Sequence, residues 1–244
     1  MENRVAAIIT NYNMPERTNA LVEYIHANVQ SPVDIVVVDN GSDLAKQSEY
    51  TTVALPFNVQ TTRGWLAGLG SLKQQYFAYW FLITSAEFTA ESHDPLTPMV
   101  EQLKRDSNAV GVHNALTSDS TTAWNHLITD GSNGYRQTWM IDNISSLYRA
   151  DWFNSIGRFD PSLIYAWGID LETCYKARQQ HRSLWICESA KVKKVTNIGY
   201  TMDRMGMSAN ERTKLAGANM RDVLEAKYGS DWWLRMKEEY RGEL

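Results

Sequence analysis

Val5-Ala6-Ala7-Ile8-Ile9 is an unbroken apolar run that stops at Thr10-Asn11-Tyr12-Asn13, and Asp34-Ile35-Val36-Val37-Val38 repeats the pattern before Asp39-Asn40-Gly41-Ser42-Asp43. A short continuous run rich in β-branched residues, with no polar alternation, reads as a strand buried on both faces, as in a parallel sheet. Between the runs, Pro15 starts a helix at a position where a missing N–H costs nothing. Leu21, Val22 and Ile25 follow it at helical spacing. Strand, helix and strand in this order form a βαβ unit, right-handed by default.

Working outward, a short strand is expected over Thr52 to Leu55, then a glycine-punctuated helix from Arg63 to about Tyr76. Tyr79 to Ile83 is a third buried strand, and Thr84-Ser85-Ala86-Glu87 ends it. Further on, Pro98 to Arg105 reads as an amphipathic helix, Ala109 to Val112 as a strand and the polar stretch Asn114 to Gly134 as loop. Met140 to Arg149 reads as a strand, and Asp151 caps a short helix that ends near Gly157. Asp170 to Gln180 is a helix, Leu184 to Cys187 and Lys191 to Val195 are short strands, and Ala209 to Tyr228 is a helix. With no repeat and no Pro/Gly/Ser linker, the expectation is one α/β domain: a mostly parallel, Rossmann-like central sheet flanked by helices, with its site at the carboxyl ends of the strands.

Length and composition agree with this reading. The 244 residues are 43% hydrophobic, enough to bury a core without staples. The balance of 24 basic against 28 acidic residues leaves a formal charge of −4, so no nucleic-acid partner is expected. Two cysteines are too few for a disulfide framework and suit a reducing compartment. No apolar run reaches the length of a transmembrane segment, and the first residues are too short a run for a secretory signal. The localisation expected is cytoplasmic.

Acidic residues follow three of the predicted elements: Asp39 with Asp43, then Glu87, then Asp170 with Glu172 at a helix start. Taken singly, an Asp at a strand end or helix start is ordinary capping chemistry. In an open parallel sheet, however, the strand ends line one crevice, so these groups converge on it.

An ordered set of motifs carries a resemblance. It runs from Ile8-Ile9-Thr10-Asn11-Tyr12-Asn13 and Val36-Val37-Val38-Asp39-Asn40-Gly41-Ser42-Asp43 through Asn58 and Arg63-Gly64-Trp65-Leu66-Ala67-Gly68-Leu69-Gly70. It continues with Phe81-Leu82-Ile83, Leu147-Tyr148-Arg149, Ile156-Gly157-Arg158-Phe159-Asp160 and Gly168-Ile169-Asp170-Leu171-Glu172, and ends with Asn219 and Lys227-Tyr228-Gly229. Together these resemble the family 2 glycosyltransferases, which have a GT-A fold, and the likeness spans nearly the whole chain. It implies a single GT-A-like domain over 1–244, with a nucleotide-sugar half at about 1–96 and an acceptor half with C-terminal helices at about 97–244. The implied reaction moves a sugar from a nucleotide-diphospho-sugar donor, a UDP-sugar first among them, to a glycan or other hydroxyl acceptor, with inversion.

Position by position, the resemblance implies that Asp39 accepts a hydrogen bond from the nucleobase, with Thr10 and Tyr12 lining the base and ribose. Arg63 falls near the base or diphosphate, and Ser85 and Glu87 fall where the family binds the donor's diphosphate. Asp170 matches the base that takes the acceptor's proton, as the catalytic residue. Glu172 holds the second acidic position, supporting the helix start or the acceptor site. An ionised carboxylate is favoured at a helix N-terminus, so Asp170 is expected to stay charged near neutral pH. Trp167, three residues earlier, is a candidate to stack on an acceptor sugar, with Trp124 and Trp139 as further acceptor candidates.

The metal assignment is open. The family's Asp-x-Asp motif reads here Ser85-Ala86-Glu87, so Glu87 alone can give a carboxylate to Mg²⁺ or Mn²⁺. Near Lys191 to Gly199, where the family often has a His, there is none. Three readings follow: one-carboxylate metal bridged by the diphosphate, cationic side chains in place of metal (Lys193, Lys194, Arg204 and Arg212), or a catalytically degenerate sugar- or nucleotide-binding module. A nucleotidyltransferase would need a basic Gly-rich loop after the first strand, and Asn11-Tyr12-Asn13-Met14-Pro15 is not one. Asn114 to Gly134 and Thr201 to Asn210 are the candidate lids.

Overall fold

A computed structural model describes residues 3–89, 92–195 and 206–238. Thr196, Asn197, Arg204 and the first half (201–205) of the candidate lid from Thr201 to Asn210 lie outside the described residues. Among those described, β1 (Val5–Asn11), α1 (Pro15–Asn28), β2 (Val33–Asp39), β3 (Thr51–Ala54), α2 (Thr61–Ser71) and β4 (Ala78–Leu82) build the first half. The remainder comprises β5 (Ala86–Phe88), α3 (Thr97–Arg105), β6 (Ala109–Leu116), β7 (Tyr135–Thr138), β8 (Ser145–Arg149) and α4 (Ala150–Ser155). After these come α5 (Ile169–Gln179), β9 (Ser183–Lys194), α6 (Ala209–Tyr228) and α7 (Trp232–Glu238).

One sheet runs through all nine strands in the order β3-β2-β1-β4-β8-β6-β9-β5, with β7 beside β9. Six of them (β1, β2, β3, β4, β6 and β9) run one way, and β5, β7 and β8 run the other. The fold is the expected α/β one, a mixed and mostly parallel sheet with helices on both faces. The apolar runs explain why. Val5, Ala7 and Ile9 pack on one face with α1 and α3, while Ala6 and Ile8 pack on the other with Trp65 and Leu69 of α2. Both faces of β1 are therefore buried, which is what an unbroken apolar run requires.

Several expected elements change form. The strand expected over Met140 to Arg149 begins only at Ser145, because Asp142 and Asn143 turn the chain into a crevice instead of extending the ladder. It then inserts antiparallel between β4 and β6. The two short strands after Leu184 are one long strand, β9, whose register against β6 slips where Glu188, Ser189 and Ala190 bulge out. Short strands β5 and β7 lack an apolar run to announce them. The expected loop from Asn114 begins as the end of β6, and the rest is pinned rather than free. Leu127 is fully buried, Arg136 and Thr129 hold the buried carboxylate of Glu188, and Ser120 accepts from the Lys194 N–H at 3.0 Å.

The glycines of α2 set how closely that helix lies on the sheet. A Cβ on Gly68 would come to 2.6 Å from Ile8 Cγ2 and 2.9 Å from Val38 Cγ2, whereas one on Gly70 would meet nothing within 4 Å. Gly68→Ala is therefore expected to cost about 1–3 kcal/mol through overpacking. Gly70→Ala should gain about 0.5–1 kcal/mol from helix propensity alone. Urea unfolding midpoints at constant slope read both, and equal effects of the two substitutions would disprove the packing account.

Candidate active site

The carboxyl ends of β1, β2, β4 and β9, with the turn leading into antiparallel β8, surround a cleft of ≈ 480 Å³. Its walls include Thr10 and Tyr12 after β1, Asn40 after β2, Thr84 and Ser85 after β4, Asp142 and Asn143 before β8, Lys194 at the end of β9, Tyr165 to Trp167, and Arg212 on α6. This is the edge at which open α/β sheets bind ligands.

A buried polar knot holds the first wall. The Asn11 amide donates to Asp39 Oδ1 at 2.9 Å and to the carbonyl of Lys46 at 3.0 Å, and its oxygen accepts from Thr18 Oγ1 at 3.0 Å. Asp39 Oδ2 accepts the Ser42 N–H at 3.0 Å. Asn40 reaches sideways, taking the Val59 N–H at 2.9 Å and donating to Asn58 at 3.1 Å. Asp39 is thus fully buried and engaged within the protein, while its neighbour Asn40 lines the cleft.

The opposite wall is the segment from Asp160 to Gly168, and α2 and α6 clamp it. Thr62 Oγ1 donates to the Leu163 carbonyl and accepts from the Ala166 N–H at 3.1 Å. Asn219 accepts the Ile164 N–H at 3.1 Å and donates to the Ser162 carbonyl at 3.0 Å. Within this clamp Ala166 adopts φ +64° and Gly168 φ +85°. A Cβ on Gly168 would lie 2.7 Å from Met220 Cγ, so both the left-handed backbone and the approach of α6 call for glycine there. Left-handed backbone at a non-glycine residue, such as Ala166, is strain of the sort that gathers at functional sites. It turns Trp167, 40% exposed, into the cleft.

Gly168 leads into α5, which carries two acidic residues with different fates. Glu172 is buried and accepts from Lys227 Nζ at 2.6 Å and Tyr228 Oη at 2.9 Å, with Lys176 at 3.5 Å. It ties α5 to α6 and does not line the cleft. Asp170 is also buried and does not itself line the cleft, whose wall carries Asp142; it has no cation among its partners. Burial first, and the charge of Asp142 second, push its carboxyl up to about 7, against the backbone N–H groups of the helix start. Asp142, on the cleft wall, is likewise pushed up by burial, with Lys194 opposing. The expectation that the helix N-terminus keeps Asp170 fully charged at neutral pH is corrected by this: desolvation outweighs the helix end. Asp142 itself was missed. Its signal was the polar Asp142-Asn143 pair interrupting an otherwise apolar stretch, which is turn chemistry rather than strand.

The remaining sequence candidates divide. Thr10, Tyr12, Ser85 and Trp167 line the cleft together. Arg63 is exposed and donates Nε to the Pro161 carbonyl at 3.1 Å, bracing the far wall. Trp124 and Trp139 pack with His126 in edge-on and tilted ring contacts, and none of the three lines the cleft. Lys194 and Arg212 line the cleft, but Lys193 lies on the surface paired with Asp119. Glu87 is exposed on β5, where its strand partner is Lys193, and it does not line the cleft. As a metal ligand it does not fit. Among the described residues no three His, Cys, Asp or Glu side chains come together in a way that could hold an ion. No helix among them is long and apolar enough to cross a membrane.

No family model matches the chain, and no curated protein matches it in sequence. Solved structures do match. GalNAc-T7 with UDP, GalNAc and Mn²⁺ superposes with a TM-score of 0.68 over 95% of this chain at 12% identity; the chain spans 50% of that protein's length. The mannosyltransferase PcManGT from Pyrobaculum calidifontis, in complex with GDP-Man and Mn²⁺, superposes with a TM-score of 0.62 over 100% of this chain and 77% of its own, at 13% identity. At such identities the likeness shows the fold, which is GT-A.

Because the folded state holds the Asp170 carboxyl at about 7 against an ordinary 3.8, folding favours its protonated form. The penalty is absent below the unfolded value, grows as pH rises between the two, and is complete above 7. Asp170→Asn should therefore be more stable than the parent at pH 8, with the advantage shrinking toward pH 4. Melting temperatures across that range read it, and an advantage independent of pH would disprove the assignment.

Proposed function

We propose that this chain is a nucleotide-sugar-dependent glycosyltransferase, related in motif order to the family 2 enzymes, with Asp170 as its general base and inversion at the transferred sugar. What carries the reading is the pairing of Asp170 with Asp142 at the carboxyl edge of a GT-A sheet, beside an exposed tryptophan. The nucleoside of the donor lies against Thr10, Tyr12 and Asn40, and Asp39 and Arg63 serve it by holding the walls that those residues belong to. The sugar extends past Ser85 toward Asp142, and the acceptor stacks on Trp167.

In the reaction a carboxylate oxygen of Asp170 takes the proton of the acceptor hydroxyl. The acceptor oxygen then forms a bond to the anomeric carbon from the face opposite the diphosphate. The bond from that carbon to the diphosphate oxygen breaks, and its electron pair leaves with the nucleoside diphosphate. A base with a pKa near 7 suits this work, since it is charged enough to accept a proton and basic enough to pull it. Asp142 raises the proton affinity of Asp170, and Glu172 keeps the helix that carries it docked on α6.

Asp170→Asn should lower transfer by about 10²–10⁴-fold while leaving the Kd for nucleoside diphosphate unchanged. In the parent the rate should rise with pH through about 7 and then level off, because only the deprotonated form of Asp170 accepts a proton. Full activity in Asp170→Asn refutes the base assignment. Nucleotide binding without turnover in the parent favours instead a degenerate binding module, the reading that the exposed Glu87 supports. Trp167→Ala should raise the acceptor KM about three- to tenfold with donor binding intact, in keeping with the worth of one aromatic stack. Product formation from UDP- and GDP-sugars by mass spectrometry reads each of these.

A further inference from the structure

We infer that the leaving diphosphate is neutralised in this protein by Lys194 and Arg212, with the Trp65 indole and Asn143 amide as neutral donors, and that donor binding needs no divalent metal. The inference rests on the glycosyltransferase reading and goes beyond it by assigning the charge chemistry of the leaving group.

Three residues that line the cleft each carry a buried side-chain N–H with no hydrogen-bond partner: Trp65 Nε1, Asn143 Nδ2 and Arg212 Nε. Buried donors are almost always satisfied, so three orphans on one cleft call for a ligand that supplies acceptors. Every one of them donates. Phosphate oxygens only accept, and a diphosphate offers several in the space of a few bonds.

Charge points the same way. Among the described residues, the cleft walls carry two basic side chains, Lys194 and Arg212, against one acidic, Asp142. Strand alternation near the end of β9 separates its two lysines: Lys193 turns outward to Asp119, and Lys194 turns to the cleft, where its ammonium has no ion-paired carboxylate among the described residues. Arg212 stands in the first turns of α6, whose start is fixed by a capping box in which Ser208 and Glu211 each bond the other's backbone. The N-terminal end of that helix adds its own positive potential beside the arginine. A guanidinium matches phosphate geometry with paired donors, and an ammonium serves it as a point charge.

At the position where the resemblance puts the metal-binding acids, this chain gives Ser85 to the cleft and Glu87 to solvent. The hydroxyl of Ser85 can donate to a phosphate, whereas the Glu87 carboxylate faces away beside Lys193. The Glu87 carboxylate is withdrawn from the cleft, and Lys194 and Arg212 line it together with Ser85.

Isothermal titration calorimetry with UDP and GDP, in EDTA and in Mn²⁺, tests this, with uridine and guanosine as probes that lack phosphate. The expected result is nucleoside diphosphate binding in EDTA within about threefold of that in Mn²⁺. Lys194→Gln and Arg212→Gln should each weaken it about tenfold, the worth of one charge-assisted contact. Nucleoside binding should persist in both variants, reporting that they are folded, and Lys193→Gln should bind as the parent does. Binding that requires Mn²⁺, or binding in EDTA that neither substitution weakens, overturns the inference alone. No binding of either nucleotide under either condition overturns the glycosyltransferase reading itself, and the inference with it.

Discussion

The contact on which the cleft depends is the one between Asn11 and Asp39, two polar side chains with no solvent exposure at the ends of adjacent parallel strands. Parallel strands leave the sheet side by side, and the loops that follow have no ladder to hold them. Here one amide bridges the two strand ends, the carboxylate closes the Asn40-Gly41-Ser42 turn, and Thr18 brings in α1. Burying this carboxyl group is tolerable because both its oxygens are met by N–H groups. The result is a rigid lip that presents Thr10, Tyr12 and Asn40 to the cleft. Asp39, which the resemblance assigns to the nucleobase, is itself taken up by Asn11 and the Ser42 N–H, and holds in place the residues that line the cleft.

The far wall has an equivalent anchor of different chemistry. Glu172 is buried on α5 and joined to Lys227 and Tyr228 of α6, and Lys227 also holds Asp160 at 2.5 Å. With Asn219 bonded on both sides of Leu163, α6 fastens the whole segment that delivers Trp167 and Asp170. Removing one partner from such a network leaves a buried charge unmet, so the contacts act together rather than as independent pairs. The late motifs Asn219 and Lys227-Tyr228 thus hold the segment that carries Trp167 and Asp170 in place.

How much of this was legible in the sequence follows from which signals are local. The βαβ opening was readable because Val5 to Ile9 and Asp34 to Val38 are unbroken runs whose burial on both faces depends on nothing distant. Thr10, Tyr12 and Ser85, implied as donor-binding residues by the resemblance, line the cleft because they stand at strand ends that share one edge. The direction of a side chain at an edge strand is different: Glu87 faces solvent because β5 pairs with β9, more than a hundred residues away, and no local pattern encodes that partner. The insertion of β8 between β4 and β6, the bulge in β9 and the pinning of the stretch after β6 are decided by the same long-range pairing. The protonation behaviour of Asp170 was misread for a related reason. A helix start is visible in the sequence, whereas the burial that outweighs it and the neighbouring Asp142, twenty-eight residues earlier, are products of the fold.

That pair of acids also shows what the cleft costs the protein. Two carboxylates, each pushed toward the protonated form by burial, work against folding at neutral pH, and nearby cations could relieve them. Yet the acidic residue with three cationic or hydroxyl partners is Glu172, on the same helix two residues away, while Asp170 is left with backbone N–H groups alone. The segregation is informative because one turn of helix could have satisfied either residue. The carboxyl desolvated beside another acid keeps its affinity for a proton. The chain stabilises the carboxylate that supports the wall and withholds stabilisation from the one buried behind the cleft wall, beside the charge of Asp142. That is the division expected where the first has to stay put and the second has to accept a proton.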